Sequence, residues 1–328
     1  MKDILNYLFN HQTLFTSEAK AILTEISLGK YNDSEVTAFI SIFLMRSITL
    51  EELRGFRDAL LELSLPIDLG TNELVDIVGT GGDGKNTFNI STLASFVVAG
   101  AGQKVAKHGN YGASAVCGSS NVLEALGYKF KTDATALRED LEKSNICFLH
   151  APLFHPALKS VAPMRKQLGV KTFFNLLGPL VNPAKPKYST IGVATLEIAR
   201  VYQYLLQKES QEFMLLHALD GYDEISLTGD AKIFTHAGEK IISPRELGFN
   251  SVNPKSISGG TSIKQAAELF MLILSGKGSA AQNSVVLANA AMALHNTGKY
   301  GSYTDCLEKA KDSLIGGRAL MSLKQLIA

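Results

Sequence analysis

The pattern of apolar and polar residues changes near residue 74, and from there it predicts an α/β fold. Residues 74–78 form a short apolar run rich in β-branched side chains, which is typical of a buried strand. Residues 93–101 form a longer apolar run behind polar N-cap residues, which predicts a helix. Strand and helix patterns then alternate along the chain, so we expect a mostly parallel sheet covered by helices.

The same patterns predict the other elements of this larger region. We expect further strands at 103–106, 146–149, 188–193 and 212–217. We expect further helices at 119–126, 132–143, 156–168 and 196–206. Residues 231–242 indicate a β-hairpin or two short strands, and the segment from 262 onward indicates three helices with glycine-rich breaks near 276 and 298.

The first 65 residues carry only helical patterns. Asn32–Glu35 and Thr49–Glu52 both have the sequence of a capping box, in which the first side chain and the fourth each bind the other residue's backbone N–H. We therefore expect a small all-helical domain at 1–70 and a larger α/β domain at 71–328.

Composition narrows the class of protein. The chain has 328 residues, of which 46% are hydrophobic, and this is long enough to form a large core in two domains. Its net charge of +1 gives no support for a nucleic-acid or membrane partner. The N-terminus lacks the pattern of a signal peptide, and no apolar run is long enough to span a membrane. Cys117, Cys147 and Cys306 are widely spaced and odd in number, as expected for reduced thiols of a cytoplasmic protein.

A glycine-rich loop separates the first predicted strand from its helix. Four glycines occur within six residues, at positions 79, 81, 82 and 84. Bare backbone N–H groups before a helix N-terminus favour an anion, and we expect a phosphate or diphosphate here rather than an ordinary tight turn. The loop lacks the spacing of a P-loop. The extra Gly82-Asp83 and the absence of an acidic residue after the next strand argue against a dinucleotide.

A second polar loop, Lys107-His108-Gly109-Asn110, follows the next predicted strand. Ligands of open α/β sheets bind at this carboxyl edge. Lys107 would supply a point charge for a phosphate, although an exposed surface lysine is the alternative. His108 alone is more typical of a structural histidine than of a catalyst. Asn110 would present a donor and an acceptor to a small polar ligand, and the small polar residues Gly112, Ser114, Gly118, Ser119 and Ser120 follow it.

With both loops considered together, the chain resembles the anthranilate phosphoribosyltransferases. The resemblance rests on segments that occur in the family's order: Gly79–Asp83, Asn89–Thr92, Lys107–Asn110, His155–Ala157, Ala162–Arg165, Phe174–Pro183 and Gly221–Ser226. It is dense across residues 75–226. Two departures are Tyr111, where the family usually has Arg, and the segment 117–121, which reads Cys-Gly-Ser-Ser-Asn.

The resemblance implies a reaction in which the amine of anthranilate displaces diphosphate from 5-phosphoribosyl 1-diphosphate, as a step of tryptophan biosynthesis. It implies that the sugar donor is bound by Gly79, Gly82, Asp83, Thr87, Asn89, Ile90, Ser91, Thr92, Lys107 and Ser119. It implies an anthranilate site at Gly79, Asn110 and Arg165, and a Mg²⁺ site at Ser91, Asp223 and Glu224. Lys107 and His108 would support the transition state, and no acid or base is assigned because an aryl amine loses its proton readily after attack.

The resemblance also implies a cytoplasmic homodimer that pairs through its helical domain, which part of 160–190 would join. For Asp223-Glu224 alone, an exposed acidic turn would be the simpler interpretation. For Arg165, a forked pair with the anthranilate carboxylate competes with an ordinary surface arginine. Two other functions stay open: a pyrimidine-nucleoside phosphorylase of the same fold type, and a non-catalytic relative that binds a ligand or nucleic acid.

Overall fold

A computed structural model describes residues 1–112 and 115–328. In chain order its α-helices are α1 (Lys2–Phe9), α2 (Thr16–Ser27), α3 (Asp33–Met45), α4 (Leu50–Glu62), α5 (Ile90–Gly100), α6 (Ser119–Ala125), α7 (Ala134–Ser144), α8 (Ala151–Phe154), α9 (Ala157–Leu168), α10 (Leu196–Leu206), α11 (Ile263–Leu274), α12 (Ala280–Asn296), α13 (Tyr303–Ile315) and α14 (Arg318–Ile327). Its strands are β1 (Val75–Gly79), β2 (Val105–Gly109), β3 (Ile146–His150), β4 (Tyr188–Gly192), β5 (Glu212–Ala218), β6 (Ala231–Thr235) and β7 (Gly238–Ile242).

The strands form one sheet in the order β3-β2-β1-β4-β5-β6-β7. The first five strands in that order are parallel, and β6 and β7 add an antiparallel hairpin at one edge. The prediction of a mostly parallel sheet with a hairpin at 231–242 is therefore confirmed. The prediction of three helices after residue 262 is wrong, because Gly316-Gly317 divides the last segment into α13 and α14, and Gly317 adopts a left-handed φ of 79°.

The chain divides into two compact units. One consists of Met1–Ile67 and Ala151–Pro183, and the other of Asp68–His150 and Ala184–Ala328. The first is all helical and the second contains the whole sheet, so the predicted fold class is confirmed.

The helical unit is ordered by its helix caps and by an aromatic core. Asn32 and Thr49 form the two predicted capping boxes, with Glu35 and Glu52 as the acidic partners. Glu52 also accepts a hydrogen bond from the backbone N–H of Leu14 at 3.1 Å and is fully buried. Four phenylalanine rings pack edge-on or stacked in the core beside it, namely Phe39, Phe43, Phe56 and Phe173.

The α/β unit is built around α5, the helix that the glycine loop precedes. Its residues from Ile90 to Ala99 are buried except Ser91, because it packs against β1 and β2 on one side and against α12, α13 and α14 on the others. A helix that is apolar all round is stable only in such a position. The glycine loop therefore lies between β1, a strand inside the sheet, and a helix that is buried along nearly its whole length.

Two further predictions concern the whole chain. Among the described residues no helix combines the length and the apolar character that a membrane crossing requires. Cys117, Cys147 and Cys306 are all buried free thiols.

Candidate active site

The glycine loop lies where the sequence predicts it, between a buried strand and a helix N-terminus. Strand β1 ends at Gly79, and α5 begins at Ile90 with Asn89 as its N-cap. The Lys107–Asn110 segment forms the end of the neighbouring parallel strand β2 and the first residue after it. The glycine loop and the Lys107–Asn110 segment therefore lie next to each other at the carboxyl edge of the sheet. The prediction of a loop from residue 107 is wrong, because Lys107, His108 and Gly109 pair with β3 as part of the strand.

An acidic loop after β5 reaches the same edge and binds the glycine loop directly. The backbone N–H of Gly81 donates to Asp223 Oδ2 at 2.6 Å. The backbone N–H of Ser91 donates to Glu224 Oε1 at 2.9 Å. The N–H groups of Gly81 and Ser91, which were predicted to face a phosphate, thus bind carboxylates instead. The same two bonds bring the predicted metal residues Ser91, Asp223 and Glu224 close together.

Two facing glycines make room for the acidic loop. Gly79 and Gly192 are partners in the pairing of β1 with β4. A Cβ atom on Gly79 would overlap Asp223 Oδ2, and one on Gly192 would overlap the backbone oxygen of Asp223. Sequence reasoning missed Gly192; the available signal was a glycine at the end of a strand, which often marks a close backbone approach.

Asn289, on α12, holds the acidic loop through hydrogen bonds to the backbone of Ile225. Its Oδ1 accepts from the backbone N–H of Ile225 at 3.1 Å, and its Nδ2 donates to Ile225 O at 2.9 Å and to Val285 O at 2.8 Å. Asn289 was also missed by sequence reasoning. The signal was a single amide within the apolar run 285–294, because a buried polar side chain needs partners and so indicates a specific contact.

Lys107 is buried beneath the site, and its interpretation as an exposed surface lysine is wrong. Only 2% of the residue is exposed, and its Nζ donates to the backbone oxygen of Ile77. Burial lowers the pKa of Lys107 to about 8, while the negative charges of Asp76 and Glu224 act in the opposite direction. The ammonium group therefore places positive charge under the acidic loop.

The carboxylates at this edge repel one another. Burial and the neighbouring Asp83 raise the pKa of Asp223 to about 7. Burial and the charge of Asp223 raise the pKa of Glu224 well above its ordinary value. Such a cluster of hard oxygen donors fits a divalent cation such as Mg²⁺, which typically binds through one or two carboxylates and substrate phosphate. No set of three or more His, Cys, Asp or Glu side chains arranged to hold a metal by themselves occurs in 1–112 and 115–328.

Residues 257–259, to which the sequence patterns assign no element, support the second half of the glycine loop. Thr87 forms an isolated antiparallel bridge with Ser258. The backbone N–H of Phe88 donates to Ile257 O at 3.2 Å, and that of Gly259 donates to Asn86 O at 2.8 Å. Thr87 is therefore held in an extended backbone at the side of the site.

Asn110 offers its Nδ2 group as a donor, and its Oδ1 already accepts one hydrogen bond. Its Oδ1 accepts from the backbone N–H of Tyr111 at 2.8 Å. Its Nδ2 has no partner among the described residues, and the residue is exposed. A carboxylate or phosphate oxygen is the natural acceptor for such a group. The predicted polar residue Ser114 lies outside the described residues.

The other predicted donor-site residues surround the two loops. Asn89 donates through Nδ2 to Cys117 O at 3.0 Å, and Ser119 donates through Oγ to Asn110 O at 3.3 Å. Ile90 and Thr92 are buried, and the N–H of Ile90 is already bound to Phe88 O at 2.6 Å. Gly82 and Asp83 are partly exposed in the loop itself.

Two remaining predicted residues have different surroundings. His108 is buried, and its backbone N–H donates to Asp76 Oδ1 at 3.2 Å. Arg165 belongs to the helical unit, on α9. Its guanidinium carbon lies 5.2 Å from the centre of the Phe174 ring, and burial lowers the pKa of Arg165. Arg165 is therefore half-buried against Phe174, and its role stays a prediction.

Two family models match almost the whole chain. The model of the glycosyl transferase family, a/b domain, matches residues 71–320, and the helical bundle domain of that family matches residues 2–64.

Curated relatives narrow the family. The chain is 55% identical to the anthranilate phosphoribosyltransferase of Flavobacterium psychrophilum over 99% of its own length and 98% of the relative's. It is 54% identical to that of Christiangramia forsetii over the same shares of both chains. The chain belongs to the anthranilate phosphoribosyltransferase family.

Solved anthranilate phosphoribosyltransferases share the fold. The enzyme from Thermus thermophilus superposes with a TM-score of 0.91 at 31% identity, over 98% of both chains. The Saccharomyces cerevisiae enzyme in complex with PRPP and Mg gives a TM-score of 0.88 at 27% identity, over 96% of this chain and 93% of that one. The yeast enzyme in complex with 4-fluoroanthranilate gives a TM-score of 0.85 at 27% identity, over 96% of this chain and 92% of that one.

We predict that Asp223→Asn stabilises the protein when Mg²⁺ is absent. Asn keeps the acceptor for Gly81 but removes a carboxylate whose folded pKa is raised to about 7. The wild-type carboxyl group costs stability as the pH rises from about 4 to about 7, so the gain should be on the order of 2 kcal/mol at pH 8 and clearly smaller at pH 5. Urea unfolding with EDTA measures both values.

The exposed Asp230 lies in the same part of the chain, and Asp230→Asn is the control that should change stability by less than about 0.5 kcal/mol. An equal gain at both pH values, or a loss at pH 8, would contradict the assignment of a repulsive site at Asp223.

Proposed function

We propose that this chain transfers the phosphoribosyl group of 5-phosphoribosyl 1-diphosphate to the amine of anthranilate, giving N-(5-phosphoribosyl)anthranilate and diphosphate, as a step of tryptophan biosynthesis. The observation that carries the proposal is the convergence of three segments at one sheet edge: the glycine loop, the Lys107–Asn110 end of β2 and the acidic Asp223-Glu224 loop. The chain is also 55% and 54% identical to two curated enzymes of this activity over 99% of its length, which supports the proposal.

The glycine loop and its neighbours would bind the sugar donor. Backbone N–H groups and polar side chains around the N-terminus of α5 suit a polyanion, because the helix dipole favours negative charge there. We assign this role to Gly79, Gly82, Asp83, Thr87, Asn89, Ile90, Ser91, Thr92, Lys107 and Ser119.

Ser91, Asp223 and Glu224 would hold Mg²⁺. The bound ion would neutralise charge on the diphosphate, which is the leaving group. The clustering of Asp223, Glu224 and Asp83, with the raised pKa values that it produces, supports a cation at this point. The yeast relative is known in complex with PRPP and Mg.

Lys107 and His108 would support the transition state electrostatically. Bond breaking at the ribose C1 leaves positive charge on the sugar and transfers negative charge to the diphosphate, by analogy with glycoside hydrolysis. Preorganised charge and dipoles are the main means of stabilising such a state. Lys107 is well suited, because its buried ammonium group is fixed by Ile77 O and cannot reorient freely. No general base is assigned, because the amine proton of the arylammonium product is acidic.

Anthranilate would be recognised through its carboxylate. The Nδ2 group of Asn110 offers donors to a carboxylate, and its Oδ1 is held by the N–H of Tyr111. Arg165 offers a planar fork that matches a carboxylate. The resemblance to the family also assigns Gly79 to the anthranilate site. The yeast relative is known in complex with 4-fluoroanthranilate.

We also propose that the chain acts in the cytoplasm as a homodimer, and that its functional domains are 1–70 with part of 160–190, and 71–328. Three free thiols support a reducing compartment. Exposed apolar side chains on the helical unit support a partner there: Phe9, Leu28 and Met45 are 59%, 66% and 88% exposed. The compact unit of Met1–Ile67 and Ala151–Pro183 supports the domain division.

The reaction is tested by following the loss of anthranilate fluorescence with the purified chain, sugar donor and Mg²⁺. We expect anthranilate consumption that needs all three components, with diphosphate released in equal amount. Consumption of thymidine with inorganic phosphate would support the phosphorylase instead. Absence of turnover with both substrate pairs, while the folded chain still binds the sugar donor, would support a non-catalytic relative.

We predict that Arg165→Ala raises the KM for anthranilate at least tenfold and the KM for the sugar donor by less than threefold. A charged hydrogen bond to a carboxylate is worth about 1.5–3 kcal/mol, which corresponds to roughly 10- to 150-fold. Steady-state kinetics with each substrate varied in turn measure both values. Lys166→Ala, a change at the adjacent exposed position, is the control. Equal effects of Arg165→Ala on both KM values would count against this role.

A further inference from the structure

Asn121 joins two separate points of the chain between β2 and α6. Its Oδ1 accepts from the backbone N–H of Gly112 at 2.9 Å and from that of Gly118 at 3.0 Å. Gly118 is the N-cap of α6, so the second bond belongs to an ordinary helix cap. The bond to Gly112 is different, because it ties a residue of the segment that follows β2 to a side chain of α6.

The backbone itself makes this closure tight. A Cβ atom on Gly118 would overlap the backbone nitrogen of Gly112 and would lie 2.6 Å from the carbonyl carbon of Tyr111. The two chain segments therefore touch, and only glycine permits this at position 118. Two backbone N–H groups face the same point, and the amide oxygen of Asn121 satisfies both.

The same contacts hold the backbone of Asn110, Tyr111 and Gly112 against α6. The backbone oxygen of Asn110 accepts from the N–H of Ser120 at 3.1 Å, and its Oδ1 accepts from the N–H of Tyr111. Gly112 is two residues further on and is bound by Asn121. The short segment from Asn110 to Gly112 is thus held at both ends by α6, and this sets the direction of Asn110 Nδ2.

The ring of Tyr111 has a rigid support of its own. It makes an edge-on contact with His150 at 4.9 Å between ring centroids. His150 is stacked on Phe130 at 4.2 Å and bound through Nδ1 to Ser120 Oγ at 2.8 Å. The ring of Tyr111 is therefore linked through His150 to Ser120, the residue whose N–H binds Asn110 O.

We propose that Asn121 is a positioning residue for the amine substrate: by closing the loop onto α6 it aims the Nδ2 group of Asn110 at the substrate carboxylate. This inference rests on the proposed function. It assigns to Asn121 no contact with either substrate. Loss of the Oδ1 acceptor should therefore weaken anthranilate binding selectively. It should affect the sugar donor much less, because Ser119 is the only residue assigned to the donor that lies on α6.

Asn121→Ala and Asn121→Asp, compared with wild type, test the proposal. Ala removes the acceptor, whereas Asp keeps an oxygen at the same position. We expect Asn121→Ala to raise the KM for anthranilate roughly five- to tenfold, the range of one lost hydrogen bond, with less than a twofold change for the sugar donor. Asn121→Asp should return the anthranilate KM to within about twofold of wild type.

Asp305→Ala is the matched control for loss of a helix cap. Asp305 is the N3 capping residue of α13, and its Oδ2 accepts from the N–H of Ser302 at 2.8 Å. We expect it to lower the Tm as Asn121→Ala does, with both KM values unchanged. Equal shifts of the two KM values in Asn121→Ala, or failure of Asp to restore binding, would overturn the proposal.

Amide hydrogen exchange keeps the test decisive if Asn121→Ala does not fold. Asn121→Ser would then replace it, because a serine hydroxyl is too short to bridge both N–H groups. Exchange at Gly112 should be slow in wild type and faster in Asn121→Ser, together with the higher anthranilate KM. Fast exchange with an unchanged KM would contradict the inference. Wild type that consumes no anthranilate would instead refute the proposed function.

Discussion

The candidate site depends on two hydrogen bonds between a glycine loop and an acidic loop. The N–H groups of Gly81 and Ser91 hold Asp223 and Glu224, whose positions in the chain are 142 and 133 residues away. The other features of the site serve this contact. Gly192 leaves the space that the backbone of Asp223 occupies. Asn289 binds the backbone N–H and oxygen of Ile225 in the same loop. The same contact that orders the glycine loop also brings the proposed magnesium ligands to the proposed diphosphate site.

This arrangement costs stability. Buried carboxylates close together have raised pKa values, which means that the folded chain resists their ionised forms. The buried ammonium of Lys107 offsets part of that charge from beneath. A bound divalent cation would offset the rest, as protonation of the carboxylates does. Sites that bind highly charged substrates often have this property, because the groups that repel each other are the groups that the ligand needs.

The sequence predicts those parts of the structure that depend on local patterns. Apolar runs at 74–78 and 93–101 and the glycines between them define the strand, loop and helix, because such features need only short-range information. Four facts were not predicted. Three of them depend on contacts between residues distant in the chain: the burial of Lys107 and the roles of Gly192 and Asn289. The fourth, the hydrogen bond from the N–H of Tyr111 to Asn110 Oδ1, depends on the side-chain rotamer of Asn110. The number of helices after residue 262 was wrong because a glycine in the left-handed conformation at 317 separates two helices whose apolar patterns are nearly continuous.

The most direct test is to displace the acidic loop without changing any charged group. Gly192→Ala does this, because its Cβ would overlap the backbone of Asp223, whereas Gly229→Ala is a control in which the new Cβ meets Asp220 at an ordinary 3.7 Å. Isothermal titration with the sugar donor, with and without Mg²⁺, measures the effect. We expect Gly192→Ala to weaken Mg²⁺-dependent binding at least tenfold and Gly229→Ala to bind as wild type does. Unchanged Mg²⁺-dependent binding by folded Gly192→Ala would contradict the account.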